Sequence, residues 1–568
     1  MTSSRADVST PVPLDVSYTD DPRVVKEATN EDYSTHIVPL TWRSGRLSLT
    51  MTWYALVSGM FYLVTAATLA VTVGTVNTLI GILLAVAVFG AVNYFFSSYA
   101  ARTGLTVALI SQRVFGYIGS VLAPLVLAAT AIYYAVFEGS VIAHALHAYT
   151  GVLDIKVWYA ISILSNVPMA IGGVRRWLDK FNGALLPLYW TGLMIVIILA
   201  VREYPPSGWL THTPDITPDL GAPGWMYAFF VYMGVFVFMM YTIDFGRFGK
   251  PKDSRYHGVV TFGPVFYLFC YFVNGMIGIF LVLVANKAGA PTETAIGDTI
   301  VGLMGVWGLG VVWLTQSRIN TANYYVASTN LEATVARLFH IRIPRVAALA
   351  IASLVTYLIM LTDVLSYVLT ALAWQGAFVV GWVGIMLTHI VLHRQGDRDG
   401  LPEFRPGRVA TIAPGAVVWL VSSLTGIMVL EFTGTFGTTW SSPLTFVLSI
   451  VLYLLALRVA NSPVLRRGLD PRDEVDDIWE TRVRCHRCDH SYIAAEMDRD
   501  PSAEGSPAIC ADCGGRSRTF RRAVLAEARA SRGTSTPGGH ARNRGGGTPD
   551  AEPAADGTAP TATSSVIS

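Results

Sequence analysis

Charged residues are scarce in this 568-residue chain. Only 14% of its residues are Asp, Glu, Lys or Arg, while 52% are hydrophobic; a soluble domain carries about 25% charged residues. The formal net charge is +2, so no excess of positive charge predicts a nucleic-acid partner. The composition predicts an integral membrane protein whose main solvent is the lipid bilayer.

The N-terminus lacks a hydrophobic run, and cysteine is rare. From Met1 to about Asn30 the chain is polar, so no cleavable signal peptide is expected. Residues 1–40 are predicted to be a disordered cytoplasmic segment. Four of the five cysteines lie close together near the C-terminus, which indicates a metal site in a reducing compartment rather than disulfides.

Long apolar runs fill the middle of the chain, within a predicted transmembrane domain of residues 41–462. A membrane helix needs about 20 mostly apolar residues, and this rule predicts twelve spans. Their approximate bounds are 47–73, 77–98, 115–147, 154–173, 183–201, 224–243, 258–286, 300–328, 344–361, 364–392, 409–430 and 442–460.

Basic residues are distributed unevenly between these spans. The odd-numbered connections contain only Lys156, Arg202 and Lys287, and the even-numbered connections contain most of the other lysines and arginines. By the positive-inside rule the even-numbered connections and both termini are predicted to be cytoplasmic. The chain is then a multi-pass protein of the plasma (inner) membrane.

Glu138 lies in the third span, in the stretch TAIYYAVFEGSVIAHALH. An ionisable residue at membrane depth costs roughly 2.5 to 3.5 kcal/mol on insertion scales and indicates a functional site. Tyr134 precedes it by four residues, so on a helix the two side chains share a face. They would offer a planar solute a ring to stack on and a carboxylate to accept its N–H groups. The alternative is a structural carboxylate that bonds between helices or pairs with Arg318.

Two glycines occupy matching places in spans one and six. Gly59 follows Ala55 and Ser58, and Gly234 precedes Phe236. Glycines in membrane helices often serve close packing. Broken helices at corresponding places in two halves are, however, the best sequence indication of a transporter site. We therefore predict breaks at these two positions.

Several stretches in order resemble one transporter family. They are SLTMTWYALVSGMFY, AARTGLTVALISQRVFG, DFGRFG from Asp244 to Gly249, and SRINTANYYVAST in span eight. Together they are similar to the nucleobase-cation-symport transporters, which include cytosine, purine, hydantoin and allantoin permeases. The resemblance covers about residues 47–461. It implies an all-α membrane fold with a five-plus-five inverted repeat of the leucine-transporter type plus two helices, and alternating access around a site at the membrane midplane.

The resemblance also implies roles for individual residues. The substrate would lie between the aromatic ring of Tyr134, with Glu138 one turn later, and a second ring in span six, for which Phe236 is the candidate. The remaining candidates follow from the broken part of span one and from span eight. Substrate contacts are expected from Ser58, Gly59, Asn320 and Asn323, and cation or coupling contacts from Ala55, Ser58, Ser317, Arg318, Asn320, Thr321 and Glu138.

Arg318 departs from the family pattern. Sodium-coupled relatives present paired hydroxyls in span eight, where this chain has Ile319 and Asn320. A fixed positive charge beside a sodium site would repel the ion. Arg318 is therefore predicted to be a built-in substitute for the cation, or the counter-ion of Glu138. Asp244 and Arg247 are read as a gate or a loop anchor.

The C-terminal region carries a separate metal motif. Cys485 and Cys488 form one C-x-x-C pair, Cys510 and Cys513 form another, and 21 residues lie between the pairs. This spacing predicts a structural zinc site with four thiolate ligands, for which His486 and His490 are alternative ligands. A small cytosolic domain at residues 476–522 would need the metal to fold. Residues 533–568 are rich in Gly, Pro, Thr and Ala and are predicted to be a disordered tail.

The sequence thus predicts a secondary active symporter that imports a nucleobase such as cytosine or a purine, with protons as the coupling ion and sodium as the alternative. One alternative is a transporter of allantoin, hydantoin or a vitamin-like heterocycle. Another is a transporter-like sensor that signals through the zinc domain to a cytosolic partner. No nucleophile constellation or open metal site indicates an enzyme.

Overall fold

Helices dominate the computed structural model, which describes residues 11–171, 178–215, 219–285, 293–362, 368–460 and 462–533. In chain order they are α1 (Pro22–Glu31), α2 (Arg46–Trp53), α3 (Met60–Val73), α4 (Thr75–Thr103), α5 (Val107–Phe115), α6 (Leu122–Thr150), α7 (Ile155–Ala170), α8 (Asp179–Glu203), α9 (Gly224–Met233), α10 (Val237–Gly246), α11 (Pro251–Ala285, which includes π-helical turns), α12 (Glu293–Met304), α13 (Val306–Leu338), α14 (Arg345–Met360), α15 (Val368–Leu392), α16 (Pro414–Phe432), α17 (Thr435–Val459), α18 (Ala511–Arg516) and α19 (Arg518–Gly533).

A helix or a bent helix pair lies at each of the twelve predicted spans. Within the described ranges, 7 helices are long and apolar enough to cross a bilayer, or up to 9 if each of two bent pairs forms one span. α7 and α14 have only 16 residues each, and the 33 residues of α13 include the polar run after Thr315. A multi-pass helical fold is therefore confirmed, whereas twelve crossings remain a prediction. Lys287 lies outside the described residues.

Spans one and six are both broken. α2 continues into the 3-10 turn Tyr54–Ser58, and this segment meets α3 at 45° at Gly59; α9 and α10 meet at 42°. Gly59 has extended backbone, and a Cβ there would lie 2.6 Å from Ile319 Cδ1. A side chain at residue 59 would have to displace the ends of the Ile319 and Glu138 side chains, which lie close to the glycine backbone. The predicted breaks at Gly59 and Gly234 are confirmed.

α6 and α13 form the centre of the bundle and pack along each other. Most of their residues are buried, including the polar residues of α13 from Thr315 to Asn323. Because lipid cannot satisfy polar groups, these side chains must find partners inside the protein. They do so with each other and with the broken part of span one, which places the candidate site between the two long helices.

The N-terminal segment is ordered from residue 11, which corrects the predicted disorder for residues 11–40. Strand β1 (Val16–Ser17) pairs antiparallel with β2 (Arg482–Arg484) of the C-terminal region, with Val16 opposite Val483. The pairing partner lies more than 460 residues away, so the polar local composition gave no sign of it. Residues 1–10 lie outside the described part of the chain.

The C-terminal region forms two small sheets and two helices. β1 and β2 continue to β3 (Ser491–Ile493), while β4 (Met497–Arg499) pairs with β5 (Ala508–Cys510). α18 and α19 follow. This unit, here called the module, comprises β1 and residues 471–533, so it is wider than the predicted 476–522. Gly533 ends α19, and residues 534–568 of the predicted tail lie outside the described residues.

The module lies at the end of the bundle where the even-numbered connections emerge. Tyr117 before α6, Arg405 before α16 and the segment before α2 all contact it. Strand β1, the C-terminal module and these connections therefore lie together at one end of the bundle. This side is called the module side below.

Candidate functional site

Glu138 lies fully buried on α6, against the break in span one. A Cβ on Gly59 would lie 3.0 Å from Glu138 Oε1. The side chain of Gln316 on α13 donates a hydrogen bond to Glu138 Oε2, and Gln316 Oε1 accepts one from the backbone N–H of Met60 at 3.2 Å. The carboxylate, the amide and the first residue of α3 therefore form one connected polar site.

Gln316 was not among the predicted site residues. It lies in the apolar run VVWLTQS, four residues before Asn320, so the two share a helical face. That spacing, together with an amide in an otherwise apolar stretch, is the signal that could have identified it.

Aromatic rings adjoin the carboxylate. The half-buried Tyr134 ring lies edge-on to Phe61 with centroids 5.8 Å apart, and Phe61 makes a similar contact with Phe137. Phe61 belongs to α3, two residues after Gly59. Tyr134 and Glu138 therefore share a face of α6 beside the break, as predicted. Phe61 is an addition from the structure.

Phe236 lies elsewhere, and its predicted role as the second stacking ring is corrected. Its ring packs between Phe89 of α4 and Phe446 of α17, with centroid distances of 4.7 and 5.7 Å. Phe238, two residues later, instead packs against Tyr62 of α3 with centroids 6.0 Å apart. The break at residues 234–236 resets the helical phase, and sequence spacing could not establish which ring faces inward.

Amide groups continue the site along α13. Asn323 Nδ2 donates to Asn320 Oδ1 at 3.1 Å, and Tyr241 of α10 donates its hydroxyl to Asn323 Oδ1 at 3.2 Å. Asn320 Nδ2 reaches the carbonyl of Ala135 on α6 at 3.5 Å. The two predicted asparagines therefore connect spans three, six and eight, and Tyr241 joins them.

Arg318 points away from Glu138. Residues two apart on a helix differ by about 200° in direction, so Gln316 and Arg318 face opposite sides of α13. Arg318 Nη2 donates to the carbonyls of Tyr54 at 3.0 Å and Asn182 at 3.4 Å. Its guanidinium lies 5.6 Å from the centre of the Tyr189 ring. This geometry disfavours the counter-ion hypothesis and leaves Arg318 as a positive charge held at the break of span one.

Carbonyls of the broken segment already accept hydrogen bonds from side chains. The single hydroxyl hydrogen of Ser58 is shared between the carbonyls of Ala55 and Thr315, which lie 2.8 and 2.9 Å from Oγ. Asn274 Nδ2 donates to the carbonyl of Val57 at 2.6 Å. Arg318 donates to the carbonyl of Tyr54, so the carbonyls of Tyr54, Ala55 and Val57 in the 3-10 turn each have a side-chain donor. Ala55 and Ser58 thus lie where the prediction placed them, but they bond within the protein.

Thr321 lies on the Arg318 side of α13, and Ser317 lies between the Gln316 and Arg318 directions. Thr321 Oγ1 donates to the carbonyl of Arg318 at 2.7 Å and accepts from Asn182 Nδ2 at 3.4 Å. Ser317 is fully buried. Arg318 and Thr321 therefore lie on the face of α13 opposite to Gln316 and Glu138.

Asp244 and Arg247 anchor the module side of span six. Asp244 Oδ1 accepts from the backbone N–H of Val107, which begins α5, and Asp244 Oδ2 accepts from Asn330 of α13. Arg247 donates to the carbonyl of Tyr33 at 2.9 Å. Both are fully buried. They connect α10 to three other segments, in agreement with a gate or anchor.

The four cysteines meet in the module. Their sulfur atoms all lie within 4.8 Å of one another, and Cys488 and Cys510 are 4.0 Å apart. Zinc–sulfur bonds of about 2.3 Å in a tetrahedron require sulfur separations of about 3.8 Å, so the cluster fits a zinc ion. The backbone N–H of Cys513 donates to Cys510 Sγ at 3.4 Å, which favours a thiolate.

The histidines near the cluster have other partners. His486 Nε2 lies 3.0 Å from Asp500, and His490 Nδ1 lies 3.9 Å from Glu27. A site closed by four thiolates leaves no open coordination position, which is the arrangement of structural rather than catalytic zinc.

The fold is similar to that of Mhp1, a nucleobase-cation-symport-1 family transporter. Against its closed conformation with bromovinylhydantoin bound, the TM-score is 0.60 and the identity 16%, over 78% of this chain and 96% of that chain. Against inward-facing Mhp1 the TM-score is 0.57 and the identity 14%, over 75% of this chain and 95% of that chain.

No family model matches the sequence, and neither does any curated protein. The similarity to Mhp1 therefore concerns the fold, and at that level it confirms the resemblance drawn from the sequence.

Proposed function

We propose that this chain is a secondary active transporter that imports a planar nitrogen heterocycle, such as cytosine or a purine, by alternating access. The observation that carries the proposal is the buried carboxylate of Glu138 held by Gln316 against the break of span one. A charged group at this depth is costly, and a broken helix beside it presents backbone polar groups to a solute.

The side chains around Glu138 suit such a substrate. A carboxylate accepts the N–H donors along the edge of a base, and amides such as Asn320 both donate and accept. Tyr134 and Phe61 supply aromatic surface, and ring contacts contribute about 0.5–1.5 kcal/mol beyond their buried area. A flat solute with alternating donors and acceptors would match this combination.

Protons are the proposed coupling ion. The guanidinium of Arg318 already donates to the carbonyl of Tyr54, the first residue of the 3-10 turn, and Ser58 and Asn274 donate to the carbonyls of Ala55 and Val57. A second cation there would meet an adjacent positive charge in a medium of low dielectric constant. Glu138 is the proposed proton carrier, because an acid crosses the hydrocarbon region at lower cost when neutral.

Membrane placement follows from the basic connections. We propose a plasma-membrane protein whose module side, with both termini, faces the cytoplasm. The unequal distribution of Lys and Arg supports this orientation.

Two alternatives have specific support. The similar fold of Mhp1 was seen with bromovinylhydantoin bound, which favours hydantoin, allantoin or a vitamin-like heterocycle as the cargo. The contacts between the module and the bundle favour a sensor that relays substrate occupancy. A sensor would bind substrate with negligible flux.

Uptake by cells that express the protein tests the proposal. Labelled cytosine and adenine are offered with unlabelled purines, pyrimidines and hydantoins as competitors, first with sodium and then with sodium replaced by choline. We expect saturable uptake that planar bases inhibit, that a protonophore abolishes and that choline leaves unchanged. Binding without uptake of any of these compounds would instead support the sensor. If the protein neither binds nor takes up any of these compounds, the proposed substrate class is overturned.

A further inference from the structure

The segment before span one is fastened to the bundle. This segment, residues 33–43, is here called the strap. Arg43 donates to the carbonyls of Val38, Ala101 and Gly249 at distances of 3.1, 2.8 and 2.9 Å. Since α2 begins three residues later, the position of the strap sets the position of the module-side half of span one.

The strap, which is bonded to the bundle through Arg43, is also bonded to the module. Glu496 accepts a hydrogen bond from the backbone N–H of Ile37 at 3.1 Å, and its other oxygen lies 2.8 Å from His36 Nδ1. The His36 ring stacks on Tyr492 with centroids 4.2 Å apart. Both His36 and Glu496 are buried. The contact of His36 with Glu496 and Tyr492 combines a buried ion pair with ring stacking, so it is more specific than a solvent-exposed ion pair.

The module also holds the connections before α6 and before α16. Tyr117 donates its hydroxyl to the carbonyl of Gly515, and the Arg521 guanidinium lies 4.7 Å from the centre of the Tyr117 ring. Arg521 also donates to the carbonyls of Pro406 and Val409. One arginine of α19 therefore connects two separate loops of the bundle.

Ion pairs extend this contact. Arg408 lies 3.3 Å from Asp498 of the module. Arg405 donates to the carbonyl of Met497 at 2.9 Å and pairs at 2.6 Å with Asp470, the residue just before the module. These charged groups are buried. Removing one partner of such a pair costs about 3–5 kcal/mol because it leaves a buried charge unpaired, so the attachment depends on the geometry of these groups.

Gly407 shows how closely the surfaces fit. A Cβ there would lie 2.1 Å from Asp498 Oδ2 and 2.7 Å from the Phe520 ring. The loop can reach the module only because this residue has no side chain. A single methyl group at this position would act as a wedge between bundle and module.

We propose that the zinc module is a clasp that holds the module side of the bundle closed and has to shift before α2 can move. The proposal rests on the proposed function, because opening of that side matters only if substrate leaves there. The module reaches the strap before span one, the connection before span three and the connection before span eleven. A metal that orders the module would thereby set how readily this side opens.

Hydrogen–deuterium exchange of the full-length, zinc-loaded protein tests the clasp without measuring transport. Gly407→Ala is compared with Gly468→Ala, an exposed glycine whose added Cβ meets no atom within 4 Å. In Gly407→Ala we expect amides of the strap, of Val107–Phe115 and of Arg46–Trp53 to exchange about tenfold faster, with one zinc retained. Gly468→Ala should match the wild type.

A second variant covers the case in which Gly407→Ala loses its metal. Arg521→Gln removes the contacts to two loops and leaves the cysteines intact, and the exposed Arg522→Gln is its control. Faster exchange in Arg46–Trp53 again supports the clasp. Faster exchange that is confined to the module, or exchange that is unchanged throughout the protein, overturns the clasp proposal. Because no substrate is needed, a failed uptake assay would reject the proposed function and leave this result standing.

Discussion

Gln316 on α13 joins Glu138 on α6 to the start of α3: its amide donates to the carboxylate and accepts the N–H of Met60 at 3.2 Å. Three helices therefore meet at one carboxylate. A change in the charge of Glu138 or in its ligand would be transmitted to the start of α3 through the Gln316 amide.

Replacing Glu138 by Gln should separate binding from coupling. Gln keeps the size and a hydrogen-bonding end but carries no titratable proton. We expect exchange of labelled for unlabelled substrate to continue, while accumulation driven by a pH gradient falls at least tenfold. Glu203→Gln, at an exposed residue that ends α8, is the control. Full proton-driven accumulation by Glu138→Gln would reject its role as proton carrier.

Gln316→Leu should weaken substrate binding. It removes a hydrogen bond to a charged group, worth about 1.5–3 kcal/mol, and leaves both Glu138 and the Met60 N–H without this bond. We expect the dissociation constant to rise about 10- to 100-fold, measured by calorimetry on purified protein. Gln395→Leu at an exposed position should leave it unchanged. Unchanged affinity in Gln316→Leu would show that the amide only supports packing.

Arg318 should make transport independent of sodium. Its guanidinium supplies the positive charge at the carbonyl of Tyr54, so uptake by the wild type should stay within about twofold when choline replaces sodium. Arg318→Lys keeps the charge and should retain part of the activity, whereas Arg318→Met should lose it because the carbonyls lose their donor. Sodium-stimulated uptake by the wild type would contradict this prediction.

The sequence predicted features that rest on local signals. A glycine at a break, an acid in an apolar run and two C-x-x-C pairs each stand out within a few residues, and Gly59, Glu138 and Cys485 lie where expected. The Phe236 prediction was wrong because its direction depends on the helical phase after the break, which the sequence does not reveal.

Order in the N-terminal segment could not be predicted locally. His36 contacts Glu496 across a sequence separation of 460 residues, so the ordering free energy comes from a partner that no window of sequence contains. Gln316 is a similar case: only the approach of α3 and α6 shows which of several polar residues in α13 faces the carboxylate.

One zinc ion per chain is expected in the module. Purified protein should contain about one equivalent by mass spectrometry of metals, and Cys485→Ser should lower this value because a structural site needs four ligands. Cys270→Ser is the control, since Cys270 lies buried in α11, outside the cluster. Chelation should lower the unfolding temperature of the module. Full metal content in Cys485→Ser would exclude the four-thiolate site.

The contact of His36 with Glu496 should weaken as the pH rises. Burial opposes protonation of His36, but the Glu496 carboxylate outweighs it, with Asp512 assisting and Arg342 opposing, so the pKa of His36 is raised above 6.5. A group whose pKa is raised on folding stabilises the folded state fully at pH values below its pKa in the unfolded chain, which is about 6.5 for histidine. This contribution is lost as the pH rises through the pKa of the group in the folded protein.

Limited proteolysis of residues 18–40 measures this effect. Cleavage should be slow at pH 6 and faster at pH 9, after correction for the activity of the protease on an unfolded substrate. His36→Gln should cleave at nearly the same rate at both values, because it removes the titrating group. A wild type that is equally protected at both pH values would show that the ion pair does not hold the strap to the module.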